Sequence, residues 1–323
     1  MTEVAVFEIL EPGVLTTIQD LGRYGFSQFG VPPSGALDTF SFRVANLLVG
    51  NRLEEACLEV TVMGLKLKAL TEVVIAITGG DLFPTLNGDP LEMWRTHLLV
   101  KGDVVAFRGL RGGCRSYFSV SGGFAVPRIM ESKSTYLAGK FGGLEGRALK
   151  RSDVLYAPDN PIPVDRLGYR FPKDWIPPLQ GEAFLRVIPG PQDRHFTKKG
   201  FETFCSASYQ VTRQCDRMGV RLEGPKIERR IDVEESIISE GLLPGAIQVP
   251  GDGKPIILLT ESVTGGYAKI AAIISADLSK VAQLKPGDHI RFEPISIEEA
   301  HNLLKEQEGR LRNLEESLPS HRR

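Results

Sequence analysis

The chain has 323 residues, room for about two domains at roughly 150 residues each, and its 42% hydrophobic and 24% charged content excludes a disordered or fibrous protein. Lys plus Arg number 39 against 40 for Asp plus Glu, a formal charge of −1, so no basic excess exists to drive binding to the phosphate backbone of nucleic acid. With 34 Gly and 21 Pro, the composition predicts many short elements joined by turns.

The first eight residues, Met1 to Glu8, put acids where a signal peptide needs a basic segment and an apolar run, which predicts a cytoplasmic protein. A helix is predicted from about Asp38: Leu37, Phe40, Val44, Leu47 and Leu48 share a face, Asp38 can cap the start and Gly50 suits a left-handed stop. Short β-branched stretches bounded by Gly, Pro, Asn or Asp recur, as at 73–78, 104–107 and 290–292, so the chain reads as mainly β. Apolar runs such as 73–77 and 256–259 are far shorter than the roughly 20 residues of a membrane span and suit buried strands; no membrane segment is expected. Six prolines fall within residues 158–178, a density that blocks helix and central strand and predicts an extended crossing segment. A second helix is expected over 297–317, with Ala300, Leu303, Leu304, Leu311 and Leu314 as its apolar stripe. These signals predict a first β domain over 1–157, a crossing segment over 158–180, a second β domain over 181–296, and a C-terminal helix and tail over 297–323.

The halves echo each other. Gln19 to Gly25 resembles Gln214 to Gly219, Gly35-Ala36-Leu37 resembles Gly245-Ala246-Ile247, Thr78-Gly79-Gly80 resembles Thr264-Gly265-Gly266, and Gly102-Asp103 resembles Gly287-Asp288, in the same order. An internal duplication explains that order; chance recurrence of Gly-rich turns is the alternative.

No GxxxxGK[ST] phosphate loop occurs, so ATP is expected to be handled by another protein. The five histidines have no HxH or HExxH spacing, and no metal is expected. No GxSxG elbow surrounds Ser119 or Ser121. The four cysteines form no CxxC pair and are expected as free thiols; Cys215, beside Asp216 and Arg217, reads as a small buried residue before a nucleophile. What remains are Gly-flanked polar clusters: Gln19, Asp20 and Arg23; Ser132 to Thr135; Glu145 and Arg147; Asp216, Arg217 and Arg221; Thr264, Tyr267 and Lys269. Gly lets backbone N–H groups approach a ligand, and neighbouring Arg or Lys can hold a carboxylate or polarise a carbonyl. A small amide or acid ligand suits these clusters; bracing of β-loops is the alternative reading of each one alone.

Longer motifs carry a resemblance. The segments Gly13 to Arg23, Gly30 to Asp38, Ala45 to Asn51, Ser134 to Tyr136 with Phe141 to Arg147, Asp216 to Gly219 with Arg221 to Pro225, and Pro244 to Pro250 with Gly265-Gly266-Tyr267 resemble allophanate hydrolase subunit 2 proteins, also called the biotin-dependent carboxyltransferase family. The likeness runs from about residue 3 to 296 and implies two cyclophilin-like β-barrel domains. Two departures are visible: Cys215 stands where Ser is usual, and Glu261-Ser262-Val263 replaces a more basic or Gln-containing stretch.

The resemblance implies, first, a component like the C-type subunit of ATP-dependent 5-oxoprolinase, which opens 5-oxo-L-proline to L-glutamate with two companions, a B-type protein and a lactam-utilisation protein of the A type. It implies no covalent cofactor in this chain, with ATP used by the assembled complex. The alternatives are a carboxyltransferase-type component of a urea carboxylase or allophanate hydrolase system, and a non-catalytic antagonist of a kinase inhibitor. For a lactam substrate, Arg217 or Arg23 is expected to hold the carboxylate, Lys269 and the Gly265-Gly266 amides to face the lactam oxygen, and Asp20 or Asp216 to orient these groups, with Asp20, Asp216 and Lys269 as the catalytic set. Gln248 and Tyr267 complete the substrate-binding set.

Overall fold

The structure, a computed structural model, describes residues 2–159, 163–179 and 182–318. Parts of the Pro-rich stretch (160–162, 180) and the end of the tail (319–323) lie outside them. The chain divides into two compact units: residues 1–23, 34–179 and 309–323 form the first, and residues 24–33 and 180–308 the second. Both are β-built, as the sequence predicts.

In the first unit, one antiparallel sheet of six strands runs in the spatial order Val154–Pro158, Glu3–Pro12, Leu65–Ala69, Val104–Phe107, Pro84–Leu86, Asp89–Pro90. A second of five runs Leu15–Gln19, Cys57–Thr61, Gly112–Val120, Val73–Asp81, Thr96–Leu99. Alternation along Leu65–Ala69 turns Leu65, Leu67 and Ala69 inward and the lysines outward, while residues 73–77 are buried throughout because Val73, Ile75 and Ile77 enter one apolar cluster and Val74 and Ala76 another. Both sheets feed one apolar core in which Phe7 meets Phe118 edge-on at 5.3 Å.

The helix expected after Asp38 is α1, Thr39–Leu48, and Asp38 Oδ1 accepts the Ser41 N–H at 2.9 Å as its N-cap. Phe40, Val44, Leu47 and Leu48 pack into a second cluster with Trp94 and Phe171. Phe171 is one anchor of the Pro-rich stretch in this unit. The Arg166 Nη1 donor, bonded to Leu47 O at 3.2 Å, is another.

The second unit is a closed seven-stranded barrel, in the order Ala183–Pro189, Lys269–Ile273, Ala246–Gln248, Ile256–Leu258, Gly219–Glu223, Tyr209–Cys215, His289–Pro294. A parallel ladder between Ala183–Pro189 and His289–Pro294 closes the ring. Phe292, on the last of these strands, is buried and stacked on Phe204 at 4.4 Å. Phe204 belongs to a short helix that the sequence reading did not anticipate, α2 at Lys198–Ser206; α3, Leu278–Ala282, was equally unmarked. Outside the barrel, strands Ser236–Gly241 and Thr264–Tyr267 pair as a two-stranded ribbon. The C-terminal helix α4 spans Ile297–Ser317, as expected; Leu311 and Leu314 are its buried residues, packed in the first unit's second cluster, while Ala300, Leu303 and Leu304 are only half-buried. Among the described residues no helix is long and apolar enough to cross a membrane.

Candidate functional site

Two polar clusters gather the residues singled out in the sequence, one in each unit. In the first, strand Leu15–Gln19 pairs along Cys57–Thr61 and delivers Gln19 and Asp20 to a loop at 132–135. Asp20 is buried, and its carboxylate accepts four bonds: from Gly22 N–H at 2.8 Å, Ser132 Oγ at 2.6 Å, Lys133 N–H at 2.5 Å and Ser134 Oγ at 2.5 Å. The guanidinium of Arg23, also buried, donates through Nη2 to Ser134 O and lies 5.0 Å from the centre of the Phe141 ring. Gly142 makes that approach possible: at φ +74°, a Cβ there would stand 2.0 Å from Ser134 O and 2.8 Å from Arg23 Nη2. Asp20 and Arg23, expected as catalytic and carboxylate-holding groups, therefore sit in a packed bracket that fastens two loops.

In the second unit, Asp216 accepts the Met218 and Gly219 N–H groups at 2.7 and 3.1 Å and shapes the turn between Tyr209–Cys215 and Gly219–Glu223. Arg217 beside it is buried and donates through Nε to buried Glu261 at 2.6 Å.

Lys269 opens the barrel strand next to the ribbon. Its side chain is 8% exposed and its Nζ donates to Glu240, whose own side chain, on the ribbon, is 44% exposed. Gln192 ties the two together. Its Nε2 donates to Glu240 Oε1 at 2.7 Å, its Oε1 accepts Lys269 N–H at 3.2 Å, and its own N–H donates to Lys269 O at 3.3 Å. The Lys269 ammonium first, and the Gln192 amide second, hold the Glu240 carboxyl below its ordinary range. Gln248, buried on the adjacent strand, donates through Nε2 to Tyr267 O at 3.2 Å. Gly265 leaves room for it, since a Cβ there would lie 2.6 Å from Gln248 Nε2. Gly266 lies beside Ile237 O in the same ribbon, and Tyr267 is exposed.

Of the expected site, then, Lys269, Gln248, Gly265, Gly266 and Tyr267 come together; Asp20 and Arg23 form a separate cluster in the other unit, and Asp216 and Arg217 belong to a different turn and ion pair. Sequence reasoning missed Glu240 and Gln192. The signal available for Gln192 was its place in Gly190-Pro191-Gln192-Asp193, a turn of the same Gly-flanked polar kind.

The four cysteines are not joined in disulfides, and burial pushes the Cys57 thiol up to about 12 and the Cys205 thiol up to about 11. Among the described residues no group of three or more His, Cys, Asp or Glu is placed to hold a metal.

A duplicated-looking β architecture with one closed barrel and a lysine–amide cluster at its edge defines a class, and the sequence match agrees: residues 29–294 fit the family described as carboxyltransferase domain, subdomain A and B, and the chain belongs to it. Among particular proteins, it is 37% identical over 305 residues to the C subunit of 5-oxoprolinase from Escherichia coli (strain K12), spanning 94% of this chain and 96% of that protein. It is also 37% identical over 333 residues to urea amidolyase of Lachancea kluyveri, covering 96% of this chain but 18% of that protein. The crystal structure of the Kluyveromyces lactis urea carboxylase superposes with a TM-score of 0.91 at 35% identity, covering 99% of this chain and 30% of that one.

Proposed function

We propose that this chain acts as the C-type component of a multi-subunit, ATP-dependent 5-oxoprolinase that converts 5-oxo-L-proline to L-glutamate. The observation that supports the reading is the likeness to 5-oxoprolinase C subunits from two organisms, 37% identical over 305 residues in one and 32% over 304 in the other, each spanning 94% of this chain. The lysine–amide cluster agrees with it. 5-Oxo-L-proline presents a lactam carbonyl oxygen, a ring N–H and a carboxylate, and Lys269, Gln192 and Gln248 offer one ammonium and two amides. In this reading Lys269 and Gln248 meet substrate oxygens, the Gly265-Gly266 backbone supports the lactam carbonyl, and Tyr267 borders the entry. Asp20, Arg23, Asp216 and Arg217 hold the loops. Negative charge that develops on the carbonyl oxygen as the ring opens is stabilised by such fixed donors. ATP is handled by the B-type and A-type companions, and the work is done in the cytoplasm.

The test is reconstitution with the two companions, measuring glutamate release that depends on ATP and 5-oxo-L-proline while one component at a time is omitted. Release only from the full mixture, with this chain alone silent and co-eluting with its companions, is the expected outcome. The second reading, a carboxyltransferase component acting with biotin and urea, is favoured by the 0.91 superposition on urea carboxylase. Carboxyl transfer from carboxybiotin to urea, without lactam opening, decides for it.

A further inference from the structure

Lys269 and its counter-ion come from two different kinds of structure. The lysine lies on a strand of the closed barrel, gripped through its backbone by Gln192 on both polar groups. Glu240 lies on the ribbon strand Ser236–Gly241, which in its sheet has the strand Thr264–Tyr267 as its one neighbour and a register irregularity between Ser236 and Glu240. A two-stranded ribbon is marginal by itself, and Ile238, two residues before Glu240, is 93% exposed. A polar clasp, Glu240 to Lys269 Nζ and to Gln192 Nε2, fastens this edge to the barrel.

A buried ammonium needs an anion beside it, because an uncompensated buried charge is costly. The requirement is for a carboxylate and not for this particular one. Glu240 is the member best able to leave: its side chain is nearly half exposed, so water resolvates it at little cost, whereas the Lys269 side chain is buried. Arg23 and Arg217, the expected holders of the substrate carboxylate, are buried in bonds to Ser134 and Glu261.

We infer that Glu240 is a built-in stand-in for a ligand carboxylate, displaced from Lys269 when a small-molecule carboxylate takes its place. In the structure Glu240 occupies that place, bonded to Lys269 Nζ and Gln192 Nε2. The incoming carboxylate pairs with Lys269 and accepts the bond that Gln192 Nε2 gives Glu240, and the ribbon edge is released. Glu240 is then a specificity-determining residue, because a neutral amide cannot neutralise Lys269 and gains nothing from evicting it. This deepens the proposed function, resting on its placement of Lys269 against substrate, and assigns the ammonium to the carboxylate in place of the lactam oxygen.

The experiment is calorimetric titration of the purified chain with 5-oxo-L-proline, with 2-pyrrolidinone (the same lactam without a carboxylate) and with acetate. Wild type is compared with Glu240→Gln and with Glu240→Gln/Lys269→Met, and melting temperatures confirm that all three fold. Removing the competing charge should tighten 5-oxo-L-proline and acetate about fivefold in Glu240→Gln; 2-pyrrolidinone should not change, and the double variant should lose the gain. Equal or weaker anion binding by Glu240→Gln, including none detected, overturns the inference, as does an equal gain for 2-pyrrolidinone. Tighter acetate in Glu240→Gln with no preference for 5-oxo-L-proline upholds the stand-in while counting against the 5-oxoprolinase reading, which glutamate release judges separately.

Discussion

The two polar clusters contain similar residues and are built in opposite ways. Around Asp20, every partner of the carboxylate is a nearby loop group of the same unit, with Asp20, Ser132 and Ser134 buried and Gly22 and Lys133 half-buried. Around Lys269, the partner carboxylate comes from a ribbon that is mostly in solvent. The Thr-Gly-Gly triplets repeat the contrast. Residues 78–80 lie within Val73–Asp81, flanked by Gly112–Val120 and Thr96–Leu99 and buried, whereas 264–266 lie in the exposed ribbon. Residue type therefore does not separate a brace from a binding group; the number and rigidity of its partners does.

Substitutions can break that contrast. Asp20→Ala leaves two hydroxyls and two N–H groups without their acceptor and should cost about 3–5 kcal/mol in urea unfolding. Arg217→Ala strands the buried Glu261 carboxylate and should cost about 3 kcal/mol, so changing it damages folding as well as turnover, in contrast with a group that meets only substrate. Gly142→Ala forces a Cβ onto Ser134 O at positive φ and should cost about 2 kcal/mol or more, read as a fall in melting temperature of several degrees. Lys269→Ala should show the reverse pattern, lowering kcat/KM of the reconstituted complex about ten- to a hundredfold with under about 1 kcal/mol of stability lost. A stability loss at Lys269 as large as that at Asp20 would erase the distinction between the clusters.

Acid gives the smallest effect. The Glu240 carboxyl is held below its ordinary range in the folded chain, so its contribution is fully present above about pH 4.3 and is lost as pH falls through the depressed folded value. Proteolysis within 236–241 should therefore quicken in that acid window before the barrel unfolds, and Glu240→Gln should abolish the pH dependence while leaving the cleavage site unchanged.

Local signals were legible and long-range ones were not. The α1 helix, with its Asp38 cap, and the full span of α4 follow from patterns within one turn or one face. The short helix α2 escaped because it buries only Gly200 and Phe204, too little for a stripe. The ordered likeness of the halves has a structural counterpart in its last pair. Gly102 (φ 99°) and Gly287 (φ 93°) each precede an Asp whose Oδ2 accepts the N–H three residues back, from Val100 at 2.9 Å and Lys285 at 3.0 Å. In both, the Gly N–H donates to the strand residue, Ala69 or Val211, whose N–H returns a bond to that Asp. At the site, Lys269, Gln248 and the glycines were legible because they are close in sequence. Glu240 was not, since ribbon register joins it to Gly265 across an interval that no local pattern spans.

The shielded thiols make the clasp easy to watch. Burial keeps the Cys57 and Cys205 thiols protonated at neutral pH, and Cys57 and Cys114 are buried, while Cys205 and Cys215 are half-exposed. With Cys205 and Cys215 both replaced by Ser, an Ile238→Cys change at the exposed ribbon edge supplies the preferred target for a fluorescent maleimide. The movement of one ribbon edge could then be followed in the intact chain, in real time, by a dye that reports on nothing else.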